Sequence, residues 1–272
     1  MTLTPFSRLI QSMTLQGDQF EVSLPADWLQ GRTAYGGLSA ALCLEATNRR
    51  FTGLPPLRSA QFAFIGPATG TLRVTATTLR AGKSTVFVGA DLVGEDGLAT
   101  RATFCFGAAR TVDHDHVDLP APDAPAPDAA IPEFFGWPDQ PNFMCHFDGK
   151  LAGGARPHTP GADPRMLVWL RHRDPDAGNG TVSLLAMADA LPPAAFILFR
   201  ENKPISTMTW AIDCLTPDGQ SASHSTSGWW LVHCAAETAR AGYSAQRTTI
   251  WTPDGQPVLI ARQNVAIFGK RA

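Results

Sequence analysis

TVDHDHVDLPAPDAPAPDAAIPE, residues 111–133, is dense in proline, alanine and aspartate. Proline lacks the N–H that a helix or a sheet ladder needs, so this stretch is expected to run extended, with polyproline character. It divides the 272 residues near their midpoint. Three parts are predicted: a first domain over 1–110, a linker over 111–133 and a second domain over 134–272, each domain of ordinary size.

On the upstream side, Phe20, Val22 and Leu24 alternate with Glu21 and Ser23, the period of a half-buried strand. Gly36-Gly37 then precede Leu38 to Arg50, a run rich in alanine and leucine that reads as a helix, stopped by Gly53 and Pro55-Pro56. Four strands are predicted after it, over 58–65, 72–79, 85–92 and 99–106. Each is rich in β-branched or aromatic residues and bounded by turns such as Gly66-Pro67, Gly82-Lys83 and Asp96-Gly97.

On the downstream side the same order returns. A strand over 166–171 precedes a mainly helical run over 182–199, which Pro192-Pro193 must kink or restart. Strands are predicted over 205–215, 229–237, 244–251 and 258–268. Arg80-Ala81-Gly82-Lys83-Ser84 is matched by Arg240-Ala241-Gly242-Tyr243-Ser244, and each is followed by an Asp-Gly turn, at Asp96-Gly97 and Asp254-Gly255. Such matches in the same order mark an internal repeat. A sheet with one long helix must bury its apolar face on that helix. The predicted class is therefore α+β, with two antiparallel sheets each wrapped around a long central helix, the tandem or double hotdog.

Composition narrows the function. The chain carries 22 Lys+Arg against 24 Asp+Glu and is 17% charged, which speaks against nucleic acid, normally met by a clustered basic face. No apolar run approaches the ~20 residues of a membrane span, and no secretory signal is read at the N-terminus. A cytoplasmic protein with no membrane partner is expected. The five cysteines (Cys43, Cys105, Cys145, Cys214, Cys234) form no C-x-x-C pair and read as buried free thiols.

Several motifs are weighed and set aside. Asp113-His114-Asp115-His116 has metal-ligand residue types but lies in the proline-rich linker, where nothing would orient the rings. No G-x-S-x-G elbow, Rossmann fingerprint or P-loop occurs, so no cofactor and no metal are expected. The seven tryptophans read as sheet-packing residues rather than a stacking platform.

The order of short motifs across both halves resembles the acyl-CoA thioesterase II family. In the first half the likeness rests on Tyr35-Gly36-Gly37, on Ser59 to Pro67 (SAQFAFIGP) and on Arg80 to Ser84. In the second half it rests on Met187-Ala188-Asp189, Ile205-Ser206-Thr207 and Ile260-Ala261-Arg262-Gln263. The resemblance covers roughly residues 18 to 270, linker excepted. It implies a double hotdog that hydrolyses an acyl-CoA thioester with a water held among an Asp, a Thr and a Gln. On this sequence those are Asp189 in the second helix, Thr207 early in the next strand and Gln263 in the last strand. Many members carry an Asp-His pair two and three residues after the Thr, where this chain has Thr209 and Trp210. The first half has Ser59 in the position of Thr207 and no matching Asp, which implies one site per chain.

The chemistry asks for these residue types. An aspartate half-buried among Leu184, Leu185, Met187 and Leu191 has its pKa raised toward that of a working general base. Thr and Gln both donate and accept hydrogen bonds without titrating, and so can hold a water in line. Gly36 and Gly37 at a helix start would offer backbone N–H groups to polarise the thioester carbonyl. Glu45, on the stripe Leu38, Ala41, Leu42, Glu45, is the rival base, and its simpler role is an ion pair with Arg49. An enoyl-CoA hydratase on the same fold usually resembles an Asp followed five residues later by His; here Ala194 stands there. The alternative from another class is a non-catalytic acyl-binding protein. Open sheet edges further predict a homo-oligomer.

Overall fold

The structure is a computed structural model that describes residues 3–216 and 228–269. The first half runs α1 (Phe6–Ser12), β1 (Thr14–Gln16), β2 (Gln19–Ser23), the short pair β3 (Leu29–Gln30) and β4 (Thr33–Ala34), then α2 (Gly36–Arg50). Four long strands follow: β5 (Leu57–Phe64), β6 (Thr71–Ala81), β7 (Thr85–Gly94) and β8 (Gly97–Gly107). The second half runs β9 (Phe147–Gly154), β10 (Arg165–His172), α3 (Thr181–Ala188), β11 (Ile205–Cys214), β12 (Trp230–Arg240), β13 (Tyr243–Trp251) and β14 (Pro257–Ile267).

Strand, helix and four-strand meander thus occur twice, as the repeat predicts. The two sheets, however, are continuous. β5 and β11 pair antiparallel, with Phe62 opposite Trp210 and Ala60 opposite Ile212, so twelve strands form one sheet in the order β1-β2-β6-β7-β8-β5-β11-β14-β13-β12-β10-β9. Under this seam Phe62 packs on Trp210 and on Phe104, with ring centroids 5.6 and 5.7 Å away.

Helix α2 is apolar on nearly every side: Leu38, Ala40, Ala41, Leu42, Cys43, Leu44 and Ala46 are all buried. A helix of that kind needs cover all round, and the curved sheet with α3 beside it supplies that cover. The second helix is shorter than the sequence predicts. It ends at Ala188, with Asp189 as its C-cap, and the chain resumes as a 3-10 turn at Ala194–Leu198. Pro192 and Pro193 have no N–H to give, and a residue before proline avoids the helical region, so the predicted helix over 182–199 cannot continue.

Residues 111–133 form neither helix nor strand, apart from a bridge of Ile131 to Leu151. They do not run free. Trp169 Nε1 donates to Pro125 O at 2.8 Å and Trp251 Nε1 to Leu119 O at 2.9 Å. Ala121, Ala124 and Ala130 of this strap cover a small apolar cluster of Leu167, Trp169, Trp229, Leu231 and Trp251 on the sheet. All five cysteines are free; Cys43 and Cys234 are buried and the other three half-buried. No helix among the described residues is long and apolar enough to cross a membrane.

Candidate active site

The start of α2 meets the end of α3. Gly37 N donates to Asp189 Oδ2 at 2.8 Å. The approach is so close that only glycine fits. A Cβ at Gly37 would lie 2.6 Å from Ala186 O and 2.9 Å from Asp189 Cβ, and one at Gly36 would lie 2.8 Å from Asp189 Oδ2. Beside them the buried Tyr35 hydroxyl donates to Ala186 O at 3.0 Å, which locks the two helices together.

The second carboxylate oxygen, Asp189 Oδ1, accepts from the Gln263 side-chain amide. Gln263 Oε1 in turn accepts from Gln246 Nε2, and Gln246 Oε1 accepts from Ala194 N at 3.1 Å. Thr207, Asp189, Gln246 and Gln263 line one cleft of about 300 Å³. Its other walls are mostly apolar: Trp137, Phe143, Met144, Leu191, Phe196 and Ile205. Thr207 also lines an adjoining pocket of about 370 Å³ with Gly36, Ser39 and Phe64. Among the described residues the Thr207 hydroxyl has no hydrogen-bond partner of its own.

Asp189 is half-buried and lines the cleft. Loss of water around it pushes its pKa up to about 6, against the opposing pull of the Gln263 and Gly37 hydrogen bonds. Such a carboxyl is ionised at neutral pH yet basic enough to take a proton from water.

The structure thus joins Asp189, Gln263 and Gly37 directly and sets Thr207 on the wall of the same cleft. Two expectations are corrected. Asp189 caps the helix rather than lying inside it, because the prolines end the helical run. The Gly37 N–H does not face a substrate carbonyl; it is bound to the carboxylate. Gly36, the first helical residue, keeps a backbone N–H with no partner one turn back. Glu45 pairs with Arg49 at 2.6 Å and lies outside the cleft. Asp113 to His116 are exposed on the strap. Trp210 is buried beneath the sheet seam, and neither it nor Thr209 lines the Asp189 cleft. Of the two departing residues, Trp210 is packed in the core and Thr209 is exposed on the strand. No histidine lines the cleft among the described residues.

Gln246 escaped the sequence reading. A signal was present: Ser244, Gln246 and Thr248 occupy the buried parity of β13, where apolar side chains would be usual.

Comparison with known proteins follows the same division of the chain. The acyl-CoA thioesterase N-terminal domain family matches residues 24–107, and the acyl-CoA thioesterase C-terminal domain family matches residues 118–267. Among curated proteins none matches. Among solved structures, a conserved hot dog fold protein of unknown function from Alicyclobacillus acidocaldarius superposes with a TM-score of 0.88 at 21% identity, covering 99% of this chain and all of that one. An acyl-CoA thioesterase II from Mycobacterium marinum superposes with a TM-score of 0.75 at 20% identity, covering 97% of this chain and 98% of that one. At such identities the superpositions establish the double hotdog fold.

Proposed function

The chain belongs to the acyl-CoA thioesterase family, and on that premise we propose that it hydrolyses a fatty acyl-CoA to the free acid and CoA with Asp189 as general base. The observation that carries this reading is the carboxylate itself. Both its oxygens are held by fixed donors, it faces a mostly apolar cleft, and burial places its pKa at about 6.

In the proposed reaction Asp189 takes a proton from a water that Thr207 and Gln263 hold in line. The hydroxide attacks the thioester carbonyl carbon. The Gly36 N–H, at the positive end of α2, meets the oxygen as it becomes negative. The tetrahedral intermediate collapses by breaking the carbon–sulfur bond, and the proton on Asp189 passes to the departing thiolate. The apolar walls would take the acyl chain.

The test is thiol release from a series of acyl-CoAs, short to long, with wild type and Asp189→Asn side by side. Wild type is expected to turn over and the variant to lose turnover while still binding. A wild type that is thermally stabilised by acyl-CoA yet releases no thiol at any chain length would establish the acyl-binding reading instead. A homo-oligomer remains part of the proposal, since β1 and β9 are outer edges. A monomeric mass by light scattering at micromolar concentration would remove it.

A further inference from the structure

We propose that Gln246 is a positioning residue, which fixes the end of the Gln263 amide that faces Asp189. The inference rests on the reading of Asp189 as the base. The two ends of a glutamine amide have nearly the same shape and opposite roles: the oxygen accepts and the nitrogen donates. Gln263 can serve a carboxylate only if its nitrogen is turned toward it. Its own strand does not dictate this, because rotation of the amide by half a turn would fill the same space.

The direction is set from a distance, through a line of one-way donors. Gln246 and Gln263 stand directly opposite each other on β13 and β14, both buried. Ala194 N lies 3.1 Å from the Gln246 side chain, and a backbone N–H can only donate, so Gln246 must present its oxygen there. That leaves Gln246 Nε2 for Gln263, which must answer with Oε1, and Gln263 Nε2 is left for Asp189 Oδ1. The source of the direction is a single backbone proton. Pro192 and Pro193 have none, so Ala194 is the first residue after Leu191 that can supply it. The double proline that ends the second helix thereby also orients the site. A reversed Gln263 would aim a carbonyl oxygen at the carboxylate and leave Asp189 with the Gly37 N–H alone.

Other ionisable groups surround Asp189. The Tyr35 hydroxyl and the Cys234 thiol lie near it, both pushed above their ordinary values chiefly by burial. The Ala194 N–H also faces that thiol. Asp139 and Lys203 lie on the cleft wall, with Lys203 paired to Glu201.

The test replaces Gln246 by Met, which keeps the bulk and removes both hydrogen bonds, with Gln246→Leu as the second variant should the first fold poorly. Two quantities are read on the full chain: the titration of the Asp189 carboxyl by carbon-13 NMR, and kcat and KM against pH. With its amide free to turn, Gln263 holds the carboxylate less well. The Asp189 midpoint is expected to rise by about half a pH unit or more, and the acid limb of kcat/KM to move with it. kcat at neutral pH is expected to fall roughly tenfold with KM little changed, as for a lost positioning contact. Thr248→Val, on the same buried face of β13, is the packing control. It removes the Thr248 contact to Cys234 and should lower the melting temperature without moving the Asp189 midpoint. An Asp189 midpoint within 0.2 of wild type in both Gln246 variants, or one that Thr248→Val moves equally, would overturn the proposal. If wild type releases no thiol on any acyl-CoA, the proposed function falls, and the carboxyl titration still decides the relay.

Discussion

At the scale of single residues, the candidate site turns on what sets the ionisation of Asp189. Burial raises the Asp189 pKa to about 6 while two donors restrain the rise. kcat/KM is therefore expected to fall about tenfold per pH unit below pH 6, as the base takes up its proton. A profile flat from pH 5 to 8 would exclude Asp189 as that base. The close fit at Gly37 makes a second prediction. A methyl group there meets the Ala186 carbonyl oxygen at 2.6 Å, a backbone atom that cannot step aside. Gly37→Ala should force α2 away from α3, costing about 2 kcal/mol by overpacking and lengthening the bond to Asp189. A normal melting temperature together with normal turnover in this variant would show that the contact is not needed. Asp189, Thr207 and Gln263 were legible only through the family resemblance, since an aspartate, a threonine and a glutamine in amphipathic elements look ordinary on their own. Gln246 was not legible, because its role lies in a partner across the sheet and in the directionality of a backbone proton.

At the scale of elements, strands bounded by glycine and proline turns were placed within a few residues, because turn chemistry and period-two patterning are both local. The errors are local too. β9 reads FDGKLAGG, and three glycines among eight residues hide a strand that pairs along its length with the neighbouring β10. The restart at Pro192-Pro193 is where the sequence places it, but the helix already ends at Ala188, four residues before the first proline. The proline-rich strap shows a different limit. Its extended backbone was predictable, but its place on the sheet was not, because it is held there by partners distant in sequence: the indoles of Trp169 and Trp251, Lys150 on Pro127 O, and the Ile131–Leu151 bridge. Each indole N–H bond to the strap is worth about 1 kcal/mol. The double variant Trp169→Phe, Trp251→Phe keeps most of the packing and removes both bonds. Proteolytic cleavage within 111–133 is expected to quicken roughly thirtyfold, in proportion to the open population. An unchanged cleavage rate, read as the appearance of half-length fragments, would show that the two indole bonds do not secure the strap.

At the scale of the whole molecule, the repeat suggested two domains, and several contacts join the two halves. The sheet crosses between them at β5 and β11, the Gly37–Asp189 bond crosses at the site, and Ser7 N donates to Asp174 Oδ2 at 2.8 Å. Sequence periodicity cannot reveal which strand edges will pair, so the seam was invisible beforehand. One cooperative unfolding transition is expected, with circular dichroism and tryptophan fluorescence coincident; two separated transitions would mean that the halves stand alone. Its pH dependence is set in part by two half-buried groups whose pKa values shift in opposite directions. The Asp189 pKa is raised from the ordinary 3.8 to about 6, so its contribution to stability is full below 3.8 and is lost as pH rises through 6, up to about 3 kcal/mol. His172 lies half-buried between Phe6 and Phe147, its Nε2 bonded to Ser183 O at 2.9 Å, and loss of water around the ring depresses its pKa from 6.5 to about 4. Its contribution is full above 6.5 and is lost as pH falls through 4. The two effects oppose each other between pH 4 and 6.5, so each conceals the other in the wild type. Relative to wild type, Asp189→Asn should be more favourable in melting temperature at pH 7.5 than at pH 4.5, and His172→Gln the reverse. Parallel melting-temperature curves for wild type and both variants across that range would mean that neither group titrates away from its unfolded value. The base would then have to work without the raised pKa on which the proposed reaction relies.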